Sequence, residues 1–284
     1  MSNSRTGHAV LFESGIELPM RDGTVTYADV FRPDTDGRFA ALLTRTPYDR
    51  TSSENISAPI HAVQAARQGY AVVIQDVRGR YASEGEFRPL HQEIGDGYDS
   101  VEWVASQAWC SGKVGMYGIS YGGATQWLAA LGTPPSLAAI APGYTATDYH
   151  DGWAWQGGAF ELGFNLTWST GALTHAMWPT LRERLKLSAG DEERFLSTKD
   201  SLGQAFERMP LTDQPHLRGV ADYYWDWLDH PEYDAYWSEV CIEDRLGEVK
   251  VPTFSYGGWY DLFMAGTIRG YTGICRAAQS PQMR

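Results

Sequence analysis

Apolar and other strand-favouring residues crowd 9–18 and again 25–32, with the polar, turn-forming run Arg21-Asp22-Gly23-Thr24 between them. Two β-rich runs on either side of such a turn predict an N-terminal β hairpin, whose second run is closed by Pro33-Asp34-Thr35-Asp36-Gly37. Strand-like runs at 40–44 and 70–75 then enclose a helical segment over 58–68 that Gly69 ends. A helix near 98–106, a strand before residue 120, a helix over 124–131 and a strand over 137–140 continue the alternation. Strands that alternate with helices predict an α/β fold with a largely parallel sheet.

Residues 145–248 break this rhythm, with few strand signals, helical runs such as 192–195 and 202–208, and dense aromatics. The break predicts a helical cap inserted into the sheet domain. Seven of the eleven tryptophans fall here: Trp153, Trp155, Trp168, Trp178, Trp225, Trp227 and Trp237. Packing helices onto a core is their first expected role, and lining a pocket the second. The run 251–256 then restores a buried strand, and Gly257-Gly258-Trp259-Tyr260-Asp261 forms a loop before a helix that starts at Leu262. The expected division is therefore sheet domain over 1–144, cap over 145–248, and the sheet domain resumed but incomplete over 249–284.

At 284 residues and 43 % hydrophobic composition, the chain has ample material for a buried core. A net charge of -12 favours solubility and works against nonspecific nucleic-acid binding. The longest apolar runs, 70–74 and 137–141, are too short to cross a bilayer, so no membrane partner is expected. Residues 1–8 lack the apolar core of a signal peptide, and Cys110, Cys241 and Cys275 are scattered, so a reducing cytoplasm is the expected compartment. Neither a Walker A run nor a G-x-G-x-x-G after a strand is present, which disfavours nucleotide enzymes, and no cofactor is expected.

The chemistry centres on Gly118-Ile119-Ser120-Tyr121-Gly122, which follows an apolar run and precedes a helical one. That context is the one a nucleophile elbow requires, because a sharp turn between strand and helix lifts the serine hydroxyl out of hydrogen-bonded structure at the top of an α/β-hydrolase sheet. Gly118 and Gly122 are expected to let neighbouring backbone pass closely. A turn serine with no catalytic task is the bland alternative. In such a fold the order is Ser, then acid, then His, and Asp261 meets the description of the acid, although capping the following helix would also account for it. All seven histidines, His8, His61, His91, His150, His175, His216 and His230, precede Asp261. Either the polypeptide continues beyond Arg284 or the protein lacks an ordinary base, and the intact contexts of Ser120 and Asp261 favour the first. His91 and His230 read as loop residues, His61 and His175 as helical; no spacing among the seven suggests a metal site, and none is assigned to catalysis. The backbone N–H of Tyr121 should be one oxyanion donor. Tyr48, in the loop Thr44-Arg45-Thr46-Pro47-Tyr48-Asp49-Arg50, offers a hydroxyl for the second or is a packed aromatic.

Several separated stretches resemble the cocaine esterase and X-prolyl dipeptidyl-peptidase family of serine hydrolases. They are Met20-Arg21-Asp22-Gly23-Thr24, Arg45-Thr46-Pro47-Tyr48, Gln75-Asp76-Val77-Arg78-Gly79 with Ser83-Glu84-Gly85-Glu86-Phe87, the Ser120 elbow through Gly123, His230-Pro231 with Tyr236-Trp237, and Gly257-Gly258-Trp259-Tyr260-Asp261. The resemblance implies that Ser120 is the nucleophile, Asp261 the triad acid, and the Tyr48 hydroxyl with the Tyr121 N–H the oxyanion hole. It also implies an acyl pocket at Trp153, Trp168 and Phe263, a histidine soon after Asp261, and a C-terminal jelly-roll domain. This sequence has neither of the last two, and loss of that domain would leave apolar surface that favours a homo-oligomer.

The expected function is thus a serine carboxylesterase acting on a small-molecule ester or amide. X-prolyl dipeptidyl-peptidase and α-amino ester hydrolase are alternatives that share the machinery, and recognition of a substrate ammonium would call on carboxylates such as Asp148, Asp151 and Glu161. A noncatalytic remnant or binding module is the alternative from another class.

Overall fold

The computed structural model describes residues 7–277. They divide into two compact units, one made of the described residues up to Asp148 together with those from Val240 onward, the other of Tyr149–Glu239.

In the first unit, β1 (Val10–Pro19), β2 (Val25–Pro33), β3 (Phe39–Thr46), β4 (Tyr70–Asp76), β5 (Cys110–Ile119) and β6 (Leu137–Gly143) form one sheet in the order β1-β2-β4-β3-β5-β6. The hairpin strand β2 meets β4 antiparallel, whereas β4, β3, β5 and β6 run parallel. Register pairs Leu43 with Val73 on one side and Met116 on the other. From Ala71 to Asp76 every residue of β4 is buried, as expected of a parallel strand covered on both faces.

Helices α1 (Ser53–Ser57), α2 (Ala62–Arg67), α3 (Glu93–Ser106) and α4 (Tyr121–Leu131) accompany this sheet. Each residue of α4 is buried. Gly97 of α3 allows the two central helices to meet, since a Cβ there would lie 2.6 Å from that of Ala129.

Three elements depart from the sequence expectation. The helix expected over 58–68 is two short helices, because Pro59 disfavours helical geometry at Ala58 and the Ser52 side chain caps α1 by accepting the Asn55 N–H. The helix expected near 98–106 begins at Glu93; Gly95 and Gly97 lower its local propensity, and packing against α4 outweighs that cost. Residues 251–256 do not form a buried strand. They make two parallel bridges to β6, Ile140 to Thr253 and Gly143 to Tyr256, with Phe254 69 % exposed. Pro252 has no N–H to donate, and among the described residues no strand pairs with the outer edge of this segment.

The second unit starts with a small hairpin of β7 (Trp155–Gln156) and β8 (Ala159–Phe160), turned by Gly157 and Gly158 at positive φ. Then come α5 (Leu162–Thr167), a π-helix over Trp168–His175, α6 (Trp178–Arg184), α7 (Ala189–Asp200), α8 (Leu202–Phe206), α9 (Tyr223–Asp229) and α10 (Ala235–Ser238). Its core is built of rings: Trp168 stacks on Trp227 at 5.9 Å and Trp178 on Phe195 at 4.3 Å. A last helix, α11 (Met264–Ala277), belongs to the first unit, where a Cβ on Gly266 would lie 2.8 Å from the Cα of Ala146.

Candidate active site

The carboxyl ends of β3, β5 and β6 lie side by side with the segment 251–256 bridged to β6, and the loops that leave β3, β5 and that segment carry Tyr48, Ser120 and Asp261. Ser120 occupies the turn between β5 and α4 with φ 56° and ψ -125°. An L residue holds such a conformation only when its surroundings impose it. Here the Ser120 N–H donates to the Gly143 carbonyl at 2.9 Å, while the Ser120 carbonyl accepts the N–H groups of Gly123 at 2.8 Å and Ala124 at 3.0 Å. Its side chain makes no capping hydrogen bond to the helix that it precedes.

Close backbone approach at the elbow falls on Gly118 and Gly123. A Cβ on Gly118, at φ 144°, would lie 2.9 Å from the Gly122 carbonyl oxygen, and one on Gly123 would lie 2.8 Å from that of Gly143. Gly122 was the expected partner of Gly118, yet a Cβ there would find its nearest neighbour at an ordinary 3.5 Å. The strand-side contact with β6 is made one residue later than the motif spacing indicates.

The Tyr121 N–H stands in the first turn of α4, where backbone donors point out of the helix and the dipole favours negative charge. Its side chain runs the other way, into the core. There the hydroxyl donates to Glu93 Oε1 at 2.9 Å and accepts the Leu90 N–H at 2.9 Å. Burial and the neighbouring Glu93 push the phenol pKa well above its ordinary value, so it stays protonated. Glu93 and Arg45 form a fully buried ion pair at 2.6 Å. Arg45 lies in a stretch that carries the resemblance, but Glu93 did not stand out in the sequence, and no local spacing signals a pair 48 positions apart.

Tyr48 sits just beyond β3, half-buried, with its N–H donating to Thr46 Oγ1 at 3.1 Å. The loop around it is held from several sides. Asn55 Nδ2 donates to the carbonyls of Tyr48 at 3.2 Å and Asp49 at 2.7 Å, and Arg80 Nε to that of Pro47 at 2.9 Å. Two residues on, Arg50 is clamped between Asp76 at 2.6 Å and Asp29 at 2.9 Å. Burial pushes the Asp76 pKa up to about 6 against the opposing pull of Arg50.

Asp261 ends the loop that follows 251–256. That segment is tied to the elbow through β6: the Tyr144 N–H donates to the Tyr256 carbonyl at 2.9 Å, next to the Gly143 carbonyl that holds Ser120. The Asp261 carboxylate accepts the N–H groups of Phe263 and Leu262, which opposes the upward push of burial on its pKa. Its Oδ2 is buried with no hydrogen-bond partner among the described residues. The helix begins at Met264, two residues after the expected start.

Of the expected pocket residues, Trp153 and Trp168 meet edge to face at 5.7 Å within the second unit, and Phe263 is buried in the first unit beside Asp261. His61 is the residue before α2, His175 ends the π-helix, His91 lies in a turn, and His230 follows α9. His230 Nδ1 is 2.6 Å from Asp234 Oδ2 on the surface of the second unit. Among the described residues, no three His, Cys, Asp or Glu side chains are grouped to hold a metal, and no helix is long and apolar enough to cross a membrane.

The family described as X-Pro dipeptidyl-peptidase (S15 family) matches residues 22–281. The cocaine esterase of Rhodococcus sp. (strain MB1 Bresler) is 36 % identical over 274 residues, covering 92 % of this chain and 46 % of its own length. Among solved structures, a CocE/NonD family hydrolase from Staphylococcus aureus superposes with a TM-score of 0.69 at 24 % identity, covering 94 % of this chain and 44 % of the other. An α-amino acid ester hydrolase gives a TM-score of 0.67 at 25 % identity, covering 97 % and 47 %. This chain thus spans about half the length of these relatives. The order of strands, the strand-to-helix turn at Ser120 and these likenesses together make the chain an α/β-hydrolase of the X-Pro dipeptidyl-peptidase (S15) family.

Proposed function

We propose that the protein is a serine carboxylesterase in which Ser120 attacks the carbonyl carbon of an ester. The observation that carries this reading is the imposed backbone of Ser120, at φ 56° between a strand and a helix, with the loops of Tyr48 and Asp261 leaving neighbouring positions at the same end of the sheet. The Tyr121 N–H and the Tyr48 hydroxyl would hold the developing oxyanion. Asp261, with one carboxylate oxygen buried and without a hydrogen-bond partner among the described residues, would fix and stabilise a histidine that takes the Ser120 proton and returns it to the leaving alcohol. Water then attacks the acyl-enzyme and frees the acid. Residues 262–284 contain no histidine, so that base is not provided in the usual chain order within residues 1–284. The likeness to cocaine esterase favours an ester over an X-prolyl peptide as substrate.

Fluorophosphonate labelling of the product of the native gene tests the reading. A single adduct on Ser120, lost in Ser120→Ala together with at least about a thousandfold of p-nitrophenyl acetate hydrolysis, is the expected result. A folded but unlabelled protein would replace the esterase with a noncatalytic binding role. Faster turnover of an Xaa-Pro p-nitroanilide than of the ester would move the activity to the peptidase side. An intact mass above 31.6 kDa for that product would locate the base in further sequence.

A further inference from the structure

We propose that the buried chain Arg45, Glu93 and Tyr121 is a positioning device that fixes the peptide between Ser120 and Tyr121, and so aims the oxyanion donor. This rests on the reading of Ser120 as nucleophile. Tyr121, Glu93, Arg45, Gln75 and Thr26 are all 0 % exposed. From the elbow inward, the Tyr121 hydroxyl donates to Glu93 Oε1 at 2.9 Å, Glu93 Oε2 takes Arg45 Nη1 at 2.6 Å, Arg45 Nε donates to Gln75 Oε1 at 3.0 Å, and Gln75 Nε2 to Thr26 Oγ1 at 2.7 Å. The chain crosses from α4 through α3 to β3, β4 and β2.

Stability is a poor reason for this arrangement, because a buried ion pair is often no better than apolar side chains of the same volume. Position is a better one. Ser120 is held in a sparsely populated conformation, which persists only if both flanks are fixed. On the strand side, Gly118 is wedged against Gly122 and Thr44. On the helix side, the fixed point is the Tyr121 ring. Rotating the peptide that carries the Tyr121 N–H would swing the ring, and the hydroxyl is held at its far end by Glu93 and the Leu90 N–H. Arg45 holds Glu93 in place, and its charge opposes the upward push of burial on the Glu93 pKa, which favours the charged form that bonds the hydroxyl more strongly.

Tyr121→Phe removes the hydroxyl and keeps the backbone donor. In the product of the native gene, kcat for p-nitrophenyl acetate should fall about tenfold with KM within about twofold, since the group lost acts through placement rather than binding. Glu93→Gln, which keeps an acceptor oxygen but not the charge, should give a smaller loss of the same kind. Tyr117→Phe is the control: this buried tyrosine of β5 has a hydroxyl with no hydrogen-bond partner among the described residues, and kcat should not change. A folded Tyr121→Phe with unchanged kcat overturns the proposal, even if its melting temperature drops. Should that variant fail to fold, Glu93→Gln decides by the same criterion. A native protein that takes no fluorophosphonate adduct would instead overturn the esterase reading, and this proposal with it.

Discussion

In the first unit charge is carried inside: Arg45 and Glu93 are fully buried, and Arg50 lies between the buried Asp29 and Asp76. In the second unit the ion pairs Arg182–Glu192, Arg194–Asp191 and Lys199–Asp200 stand at the surface, while the interior holds stacked rings and neutral groups such as Ser169, Thr170, Gln214 and His216. Charged hydrogen bonds have fixed lengths and directions, whereas stacked rings fill volume and tolerate sliding. The first unit has loops that must be held at set places over the end of a sheet, and it spends buried charge there. The second has a space to fill.

The strongest way to break that comparison is to remove Arg50. Arg50→Ala leaves two carboxylates without their shared cation in the interior, and a buried charge that loses its partner costs about 3–5 kcal/mol. Urea unfolding of the first unit should show a loss in that range at pH 7, with Tyr48 and its loop becoming accessible to proteolysis. A cost below about 1 kcal/mol, the range of exposed pairs, would mean that this clamp is no different from the surface pairs of the other unit.

Acidification should sharpen the contrast, because the two units respond with opposite sign. His216 is buried with Nε2 3.0 Å from Thr170 Oγ1, and burial, helped by Arg208, pushes its pKa down to about 4. The unfolded chain takes up that proton near 6.5 and the folded unit does not, so stability falls as pH drops from about 6.5 to about 4, by at most about 3 kcal/mol. For Asp76, raised to about 6, the folded state binds the proton first, so its contribution grows as pH drops from about 6 towards 4. Hydrogen exchange at pH 7 and pH 4.5 should show protection lost in α7 and the π-helix before β3 and β4, and His216→Gln should flatten the dependence. Equal loss in both units, or no effect of His216→Gln, would remove His216 as the cause.

The same contrast explains what was legible in the sequence. Local periodicity and turn chemistry are short-range signals, so the hairpin, the strand-to-helix turn at Ser120 and the helical character of the segment rich in tryptophan could be read directly. Gly79 also falls in a motif that stood out, and its φ of 73° with no room for a Cβ against the Phe87 backbone gives the physical reason. Long-range pairing leaves no such trace: nothing near Arg45 indicates that Glu93 will meet it, and nothing in Gly122-Gly123 tells which glycine faces β6. The run 251–256 misled because an apolar, β-branched composition marks a strand but not whether both of its edges and faces are covered.

The smallest effect expected is at the surface of the second unit. Arg194 Nη1 lies 3.2 Å from Asp191 Oδ1, with side chains 54 % and 37 % exposed, one turn apart on α7. Asp191 is already occupied as the capping-box partner of Ser188, whose N–H donates to Oδ2 at 2.9 Å. Ser188 and its bonds are the first cause of the lowered Asp191 pKa, ahead of Arg194. Arg194→Ala should therefore change the stability of the second unit by no more than about 0.5 kcal/mol, and that difference should vanish in 1 M salt, where charges this exposed are screened. Asp191→Ala should cost more than Arg194→Ala, because it removes the carboxylate that accepts the Ser188 N–H and hydroxyl and leaves only half of the capping box, the Ser188 Oγ that accepts the backbone N–H of residue 191. If the two substitutions proved equal, the charge pair and not the cap would be what α7 uses, and the rule that this unit keeps its charges idle at the surface would fail.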